Sequence, residues 1–148
     1  MENRLHAIYS DYIRAVDAYY ERQKTGDILG AMLSGRGRYG ACPLHEPFLK
    51  KLEQTIRELA REGVSAGLAE ELLRFMLLAN HVGPEHPAVI PLETAEGLAL
   101  PLLPFLSMEQ LGSLMECYRR KLRKGLGLPC QREVLKAMKN DLRRKLEP

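Results

Sequence analysis

Apolar residues in this chain return at intervals of three and four, and no period-two run bounded by turns stands beside them. Leu5, Ile8, Tyr9, Tyr12, Ile13, Val16, Tyr19 and Tyr20 occupy the i, i+3, i+4, i+7 positions that gather side chains on one side of a helix. That helix is expected to run to about Lys24 and to stop at Gly26. Without strand material the chain has one architecture open to it: an all-α fold of five to six helices in a compact antiparallel bundle or irregular array, one domain over residues 1–148.

Punctuation places the other helices. Asp27 is an N-cap candidate for a short turn of helix in DILGAML. Pro43 and Pro47 fence a second helix with an apolar stripe at Phe48, Leu49, Leu52, Ile56 and Leu59, closed by Gly63. Ser65 caps a third, which contains LLRFMLLA; being apolar nearly all round, it is expected at the centre. Three prolines and a glycine in HVGPEHPAVIP mark residues 81–91 as a loop, and LETAEGLALPLLPFL reads as a short helix broken by proline.

Ser107 and Gln110 have capping-box spacing, with Leu106 and Leu111 at the staple positions. The helix they open carries Leu111, Leu114, Met115, Tyr118 and Leu122 on one stripe and ends at GLGLP. Pro129 then suits the first turn of the last helix, whose stripe is Val134, Leu135, Met138, Leu142 and Leu146.

A chain of 148 residues buries roughly 68 to 70% of its unfolded surface, enough for one core without a staple. Its longest apolar run, LALPLLPFL, is nine residues long and holds two prolines, whereas a membrane span needs about 20 apolar residues. MENRLHAIYSDYIRAVD mixes charges among its apolar residues, unlike a secretory signal. Cys42, Cys117 and Cys130 are odd in number and far apart, which suits free thiols in a reducing compartment. The expectation is a soluble cytoplasmic protein that does not engage a membrane.

Residues Gly35 to Gly40, GRGRYG, satisfy G-x-G-x-x-G. A dinucleotide fingerprint requires a strand before it, a helix opening at its last glycine and an acid about 20 residues on. ILGAML is short and glycine-interrupted, Pro43 and Pro47 delay the helix, and Glu58 and Glu62 belong to a polar helix side. Gly30 and Gly35 also have P-loop spacing, but Arg36 and Gly37 replace the lysine and the hydroxyl residue. What remains is a loop between helices in which Arg36 and Arg38 offer an anion contact. No cofactor is expected.

Charge is unevenly spread. Residues 63–118 hold one base, Arg74, against seven acids, whereas residues 119–148 hold eleven bases against three acids. Such asymmetry calls for an anionic partner or for pairing between the two regions. At about 100° per residue, Arg132, Lys136, Lys139 and Arg143 fall in one narrow stripe. With Arg119, Arg120, Arg123 and Lys124 across the turn they form a two-helix basic surface suited to a phosphate backbone. Glu116 with Arg120 and Asp141 with Lys145 have ion-pair spacing. Charged Arg120 or Lys136 falls where a DNA-reading helix-turn-helix wants packed apolar residues, and no aromatic row offers stacking.

Other chemistry is thinly represented. Cys42 and His45 form C-x-x-H, and His81 and His86 lie in a loop able to fold toward them, but the spacing matches no zinc motif and no metal is expected. Cys130 begins a helix near Arg132, conditions that lower a thiol pKa, yet no histidine stands near it in sequence. Glu70 and Glu71 are adjacent and splay apart around a helix. Nothing argues for catalysis. The leading expectation is a non-catalytic helical protein acting through protein contacts or as a homodimer, since LALPLLPFL and the tyrosine-rich first helix offer more apolar surface than a small bundle must bury. The alternative is an electrostatic binder of nucleic acid or another polyanion.

Overall fold

A computed structural model describes residues 4–25, 42–123 and 128–147. Among them are six α-helices, one 3₁₀ segment and no strand. They are α1 (Arg4–Thr25), α2 (His45–Glu62), α3 (Ala66–Leu77), α4 (Val89–Ala95), the 3₁₀ segment (Glu96–Phe105), α5 (Met108–Arg123) and α6 (Pro129–Leu146). The all-α expectation holds. The turn of helix expected in DILGAML, the GRGRYG stretch with Arg36 and Arg38, and Lys124 lie outside the described residues.

The helix boundaries follow from local chemistry. Gly63 ends α2 at φ 85°, ψ 136°, a conformation open to glycine because it has no Cβ to clash; its amide donates to Leu59 O at 3.0 Å. Ser65 Oγ accepts from the Leu68 amide at 3.1 Å and so caps α3. At α5 the expected reciprocal box is complete: the Ser107 amide donates to Gln110 Oε1 at 2.8 Å, and the Gln110 amide to Ser107 Oγ at 3.2 Å. Pro129 stands first in α6, where an amide proton is not needed. Pro91 lies in the first turn of α4, where an amide proton is likewise not needed, and that helix begins at Val89, inside the stretch expected to be loop.

Between α4 and α5 the chain is neither a broken α-helix nor a loop. Ten residues, Glu96–Phe105, form a 3₁₀ helix with Pro101 and Pro104 inside it, although runs beyond three or four residues are uncommon. Three residues per turn align Leu98, Pro101 and Pro104 in one row, and both prolines are exposed on it. Ala99, Leu102, Leu103 and Leu106 turn inward and are buried. This segment packs against α2, α3, α4 and α6 and is the spine of the molecule.

The apolar residues expected to form an interface are thus taken up largely by the core. Tyr9 and Tyr12 of α1 are buried as well, Tyr12 stacked flat on Phe48 at 3.9 Å between ring centroids and Tyr9 meeting Phe75 edge-on at 4.9 Å. Large apolar side chains left exposed among the described residues are Ile90, Met108 and Leu146. No described helix is long and apolar enough to cross a membrane.

Candidate polyanion-binding face

Helix α6 packs inward by most of its expected apolar stripe, shifted toward two polar residues. Its buried positions are Gln131, Val134, Met138 and Asp141, while Leu135 and Leu142 are half-buried and Leu146 is 64% exposed. The expected stripe therefore holds from Val134 to Leu142, with the helix rolled so that Gln131 and Asp141 are buried beside it and Leu146 is left out. A buried carboxylate on the spine explains the roll.

Glu96, at the first position of the 3₁₀ segment, is 3% exposed. Tyr118 Oη donates to its Oε1 at 2.7 Å and Lys121 Nζ to its Oε2 at 2.9 Å, both from α5. Gln131 Nε2 of α6 lies 3.3 Å from each oxygen. Lys121 also donates to Leu77 O at the end of α3. A buried charge without such partners costs several kcal/mol, so the carboxylate fixes three elements around itself. Gln131 is doubly used, since its Oε1 accepts the Leu128 amide at 2.9 Å and closes the start of α6.

Burial pushes the Glu96 carboxyl above the usual carboxylate range, and Lys121, Tyr118 and Gln131 oppose that rise. The Tyr118 hydroxyl is held far above its ordinary value by burial and by the neighbouring Glu96. At the other end of α6, Lys145 Nζ is 2.9 Å from Asp141 Oδ2, an ion pair out of hydrogen-bond alignment, and it donates to Pro104 O at 3.4 Å.

With α6 seated this way, Arg132, Lys136, Lys139 and Arg143 point away from the core, and all four are exposed. Lys136, Lys139 and Arg143 have no carboxylate partner among the described residues. The acidic middle of the chain does not pair with Lys136, Lys139 or Arg143 among the described residues: its ion pairs with the basic region there are Glu96 with Lys121, an interior contact, and Glu116 with Arg119 and Arg120. On α5, Arg120 and Arg123 are exposed and Arg119 is half-buried. Glu116 partly neutralises this end, at 3.8 Å from Arg119 and 3.7 Å from Arg120. Five steps of chain join Arg123 to Leu128, a reach of at most about 18 Å, so these arginines stand at the Arg132 end of the row.

The remaining candidates are dispersed. Tyr12 Oη and His45 Nδ1 share a hydrogen bond at 2.5 Å, and burial lowers the pKa of that imidazole. His81 Nε2 donates to Phe75 O at 2.8 Å, its pKa lowered chiefly by burial. His86 accepts the Ala88 amide on Nδ1 at 3.0 Å and donates from Nε2 to Asp17 at 2.6 Å. Cys42 is buried. No three His, Cys, Asp or Glu side chains among the described residues are placed to share a metal ion. The conditions that favour a reactive thiol at Cys130 are outweighed: burial raises its pKa, and Sγ donates to Glu93 O at 3.7 Å. Glu70 is engaged by Arg74 at 3.5 Å, apart from the exposed Glu71.

Sequence reasoning missed Glu96, Tyr118, Lys121 and Gln131 as a unit. The signal available was positional: Tyr118 and Lys121 are three apart on α5, and Tyr118 lies on its apolar stripe. No protein-family model matches this chain, and no curated protein and no solved structure matches it.

Proposed function

We propose that this protein is a non-catalytic binder of nucleic acid that engages the phosphate backbone through the outer face of α6, with Arg119, Arg120 and Arg123 of α5 beside it. The observation that carries the reading is the row of exposed bases on α6, three of them without a carboxylate partner among the described residues. Bases already paired in the fold gain little from a phosphate, whereas unpaired ones release the counterions of the nucleic acid when they bind. A cytoplasmic setting is part of the proposal and is supported by three free thiols. Titration of a fluorescent DNA and a fluorescent RNA at about 50 mM salt tests it: saturable binding that weakens as salt is added is expected, and no binding to either overturns it.

A second reading, action through protein contacts or self-association, has one supporting observation. Ile8, Tyr12, Ala15, Leu44, Pro47 and Phe48 line a largely apolar surface groove of about 230 Å³ between α1 and α2. Light scattering tests the homodimer form; a mass of one chain at about 0.1 mM, well above a dissociation constant of about 1 μM (about −8.2 kcal/mol), counts against it.

A further inference from the structure

We infer that the nucleic acid this face accepts is a duplex in preference to a single strand, an inference that rests on the phosphate-binding reading above. Binders of single strands combine a basic groove with aromatic side chains on which successive bases stack, each stack worth about 1 to 3 kcal/mol. Helix α6 contains no aromatic residue, and Tyr118 of α5 is fully buried with its hydroxyl on Glu96. Among the described residues of α5 and α6, a single strand therefore finds charge but no exposed aromatic ring for its bases. A duplex needs no such ring, because its bases are already stacked on one another.

The geometry of the row favours the duplex independently. From Arg132 to Arg143 the helix rises about 16 Å, a straight run set by seating along its opposite side on α5, α4 and the 3₁₀ segment. At about 3.4 Å of duplex axis per base pair, a run of that length matches about five base-pair steps, over which both strands present phosphates. The face is convex and fixed at its two ends, by Gln131 on Glu96 and by Lys145 on Pro104 O. A stiff ladder of phosphates meets it without rearrangement, whereas a single strand must be ordered against it.

Counterion release makes the difference measurable. Three contacts, at Lys136, Lys139 and Arg143, release about 2.7 counterions from B-DNA but about 2.1 from a single strand, so duplex affinity falls with log-log slope near −2.7 and drops roughly 40-fold between about 50 and 200 mM salt. The experiment is fluorescence anisotropy over that range with a duplex of about 20 base pairs and with one of its strands alone. Tighter binding of the duplex, with the steeper slope, is expected. Equal or tighter binding of the single strand overturns the inference while leaving the phosphate-binding reading intact; no binding of either at the lowest salt overturns both. The double variant Lys136→Gln/Lys139→Gln locates the contacts: its duplex slope should fall in magnitude by about 2, leaving roughly a 3.5-fold salt effect over the same range. An unchanged slope in that variant means the duplex sits elsewhere on the protein, and it overturns the inference as well.

Discussion

Lys121 Nζ stands 2.9 Å from Glu96 Oε2, twenty-five residues away in sequence, with the carboxylate side chain 4% exposed and the lysine 28% exposed. The pair is asymmetric: Lys121 can still reach water, whereas Glu96 depends wholly on its partners.

Removing the carboxylate should therefore hurt more than neutralising it. Glu96→Ala strands Tyr118 and Gln131 inside the core and should cost about 3 kcal/mol, the low end for a broken buried pair because Lys121 is partly solvated. Glu96→Gln keeps an acceptor and should cost less. The pH dependence has a definite sign. Because burial raises the folded-state pKa of Glu96, its contribution to stability is fully present below the unfolded value of about 4.3 and is lost as pH rises through the folded value. Thermal melts from about pH 4 upward should show Glu96→Gln gaining on the native protein; a constant difference would mean that the carboxyl is unperturbed.

Tyr9 presents the opposite case. Its ring is packed against Phe48, Phe75 and His81, but its buried hydroxyl finds no hydrogen-bond partner among the described residues. An unmet buried polar group costs about 1 to 3 kcal/mol. Tyr9→Phe keeps the packing and should raise stability by about 1 kcal/mol in denaturant titration. A loss of that size would reveal a partner for the hydroxyl, such as a buried water.

Two boundary residues can be separated by mechanism. Ser107→Ala removes one half of a complete capping box and should cost about 1 kcal/mol. Gly63→Ala meets no atom within 4 Å, so its expected cost of about 1 to 3 kcal/mol comes from backbone conformation alone. Enlarging the residue further, as in Gly63→Leu, should add little to that figure. A large further loss would show that space, and not φ, is limiting there.

The basic face should be separable from the fold. Lys136 and Lys139 are exposed and unpaired among the described residues, so Lys136→Glu/Lys139→Glu should change stability by no more than about 0.5 kcal/mol per site. The same variant should weaken duplex binding by at least tenfold, equally for a scrambled sequence, since phosphate contacts carry no sequence information. Circular dichroism and anisotropy on the same sample check both halves of the statement.

How much of this was legible in the sequence depends on which residues one asks about. The helices and several of their ends were, because periodicity and the chemistry of Gly63, Ser65, Ser107 and Pro129 act over a few residues. The basic row was legible too, as an angular fact about one helix. The seating of α6 was legible only in part: the stripe from Val134 to Leu142 packs inward, but Gln131 and Asp141 are buried beside it, Gln131 because a carboxylate thirty-five residues away needs partners. A buried Glu96 looks like any other glutamate until the spine that hides it is in place. The 3₁₀ form of LALPLLPFL is not legible from helix and strand templates, because a period of three lies outside both, although Pro101 and Pro104, three apart, are its trace.

The spine also sets a length. Its two ties to α6 lie at Glu96 and Pro104, about 16 Å apart along a 3₁₀ axis at roughly 2 Å per residue. They meet Gln131 and Lys145, about 21 Å apart along an α-helix, and side-chain reach spans the difference. Were the segment to relax into α-helix it would shorten to about 12 Å between those points and pull the anchors out of step. The ring of Pro101 or Pro104 would then strike a carbonyl one turn back. The two prolines therefore make this element a ruler of fixed gauge, and the straightness and pitch of the charged row on the far side of α6 are measured against it.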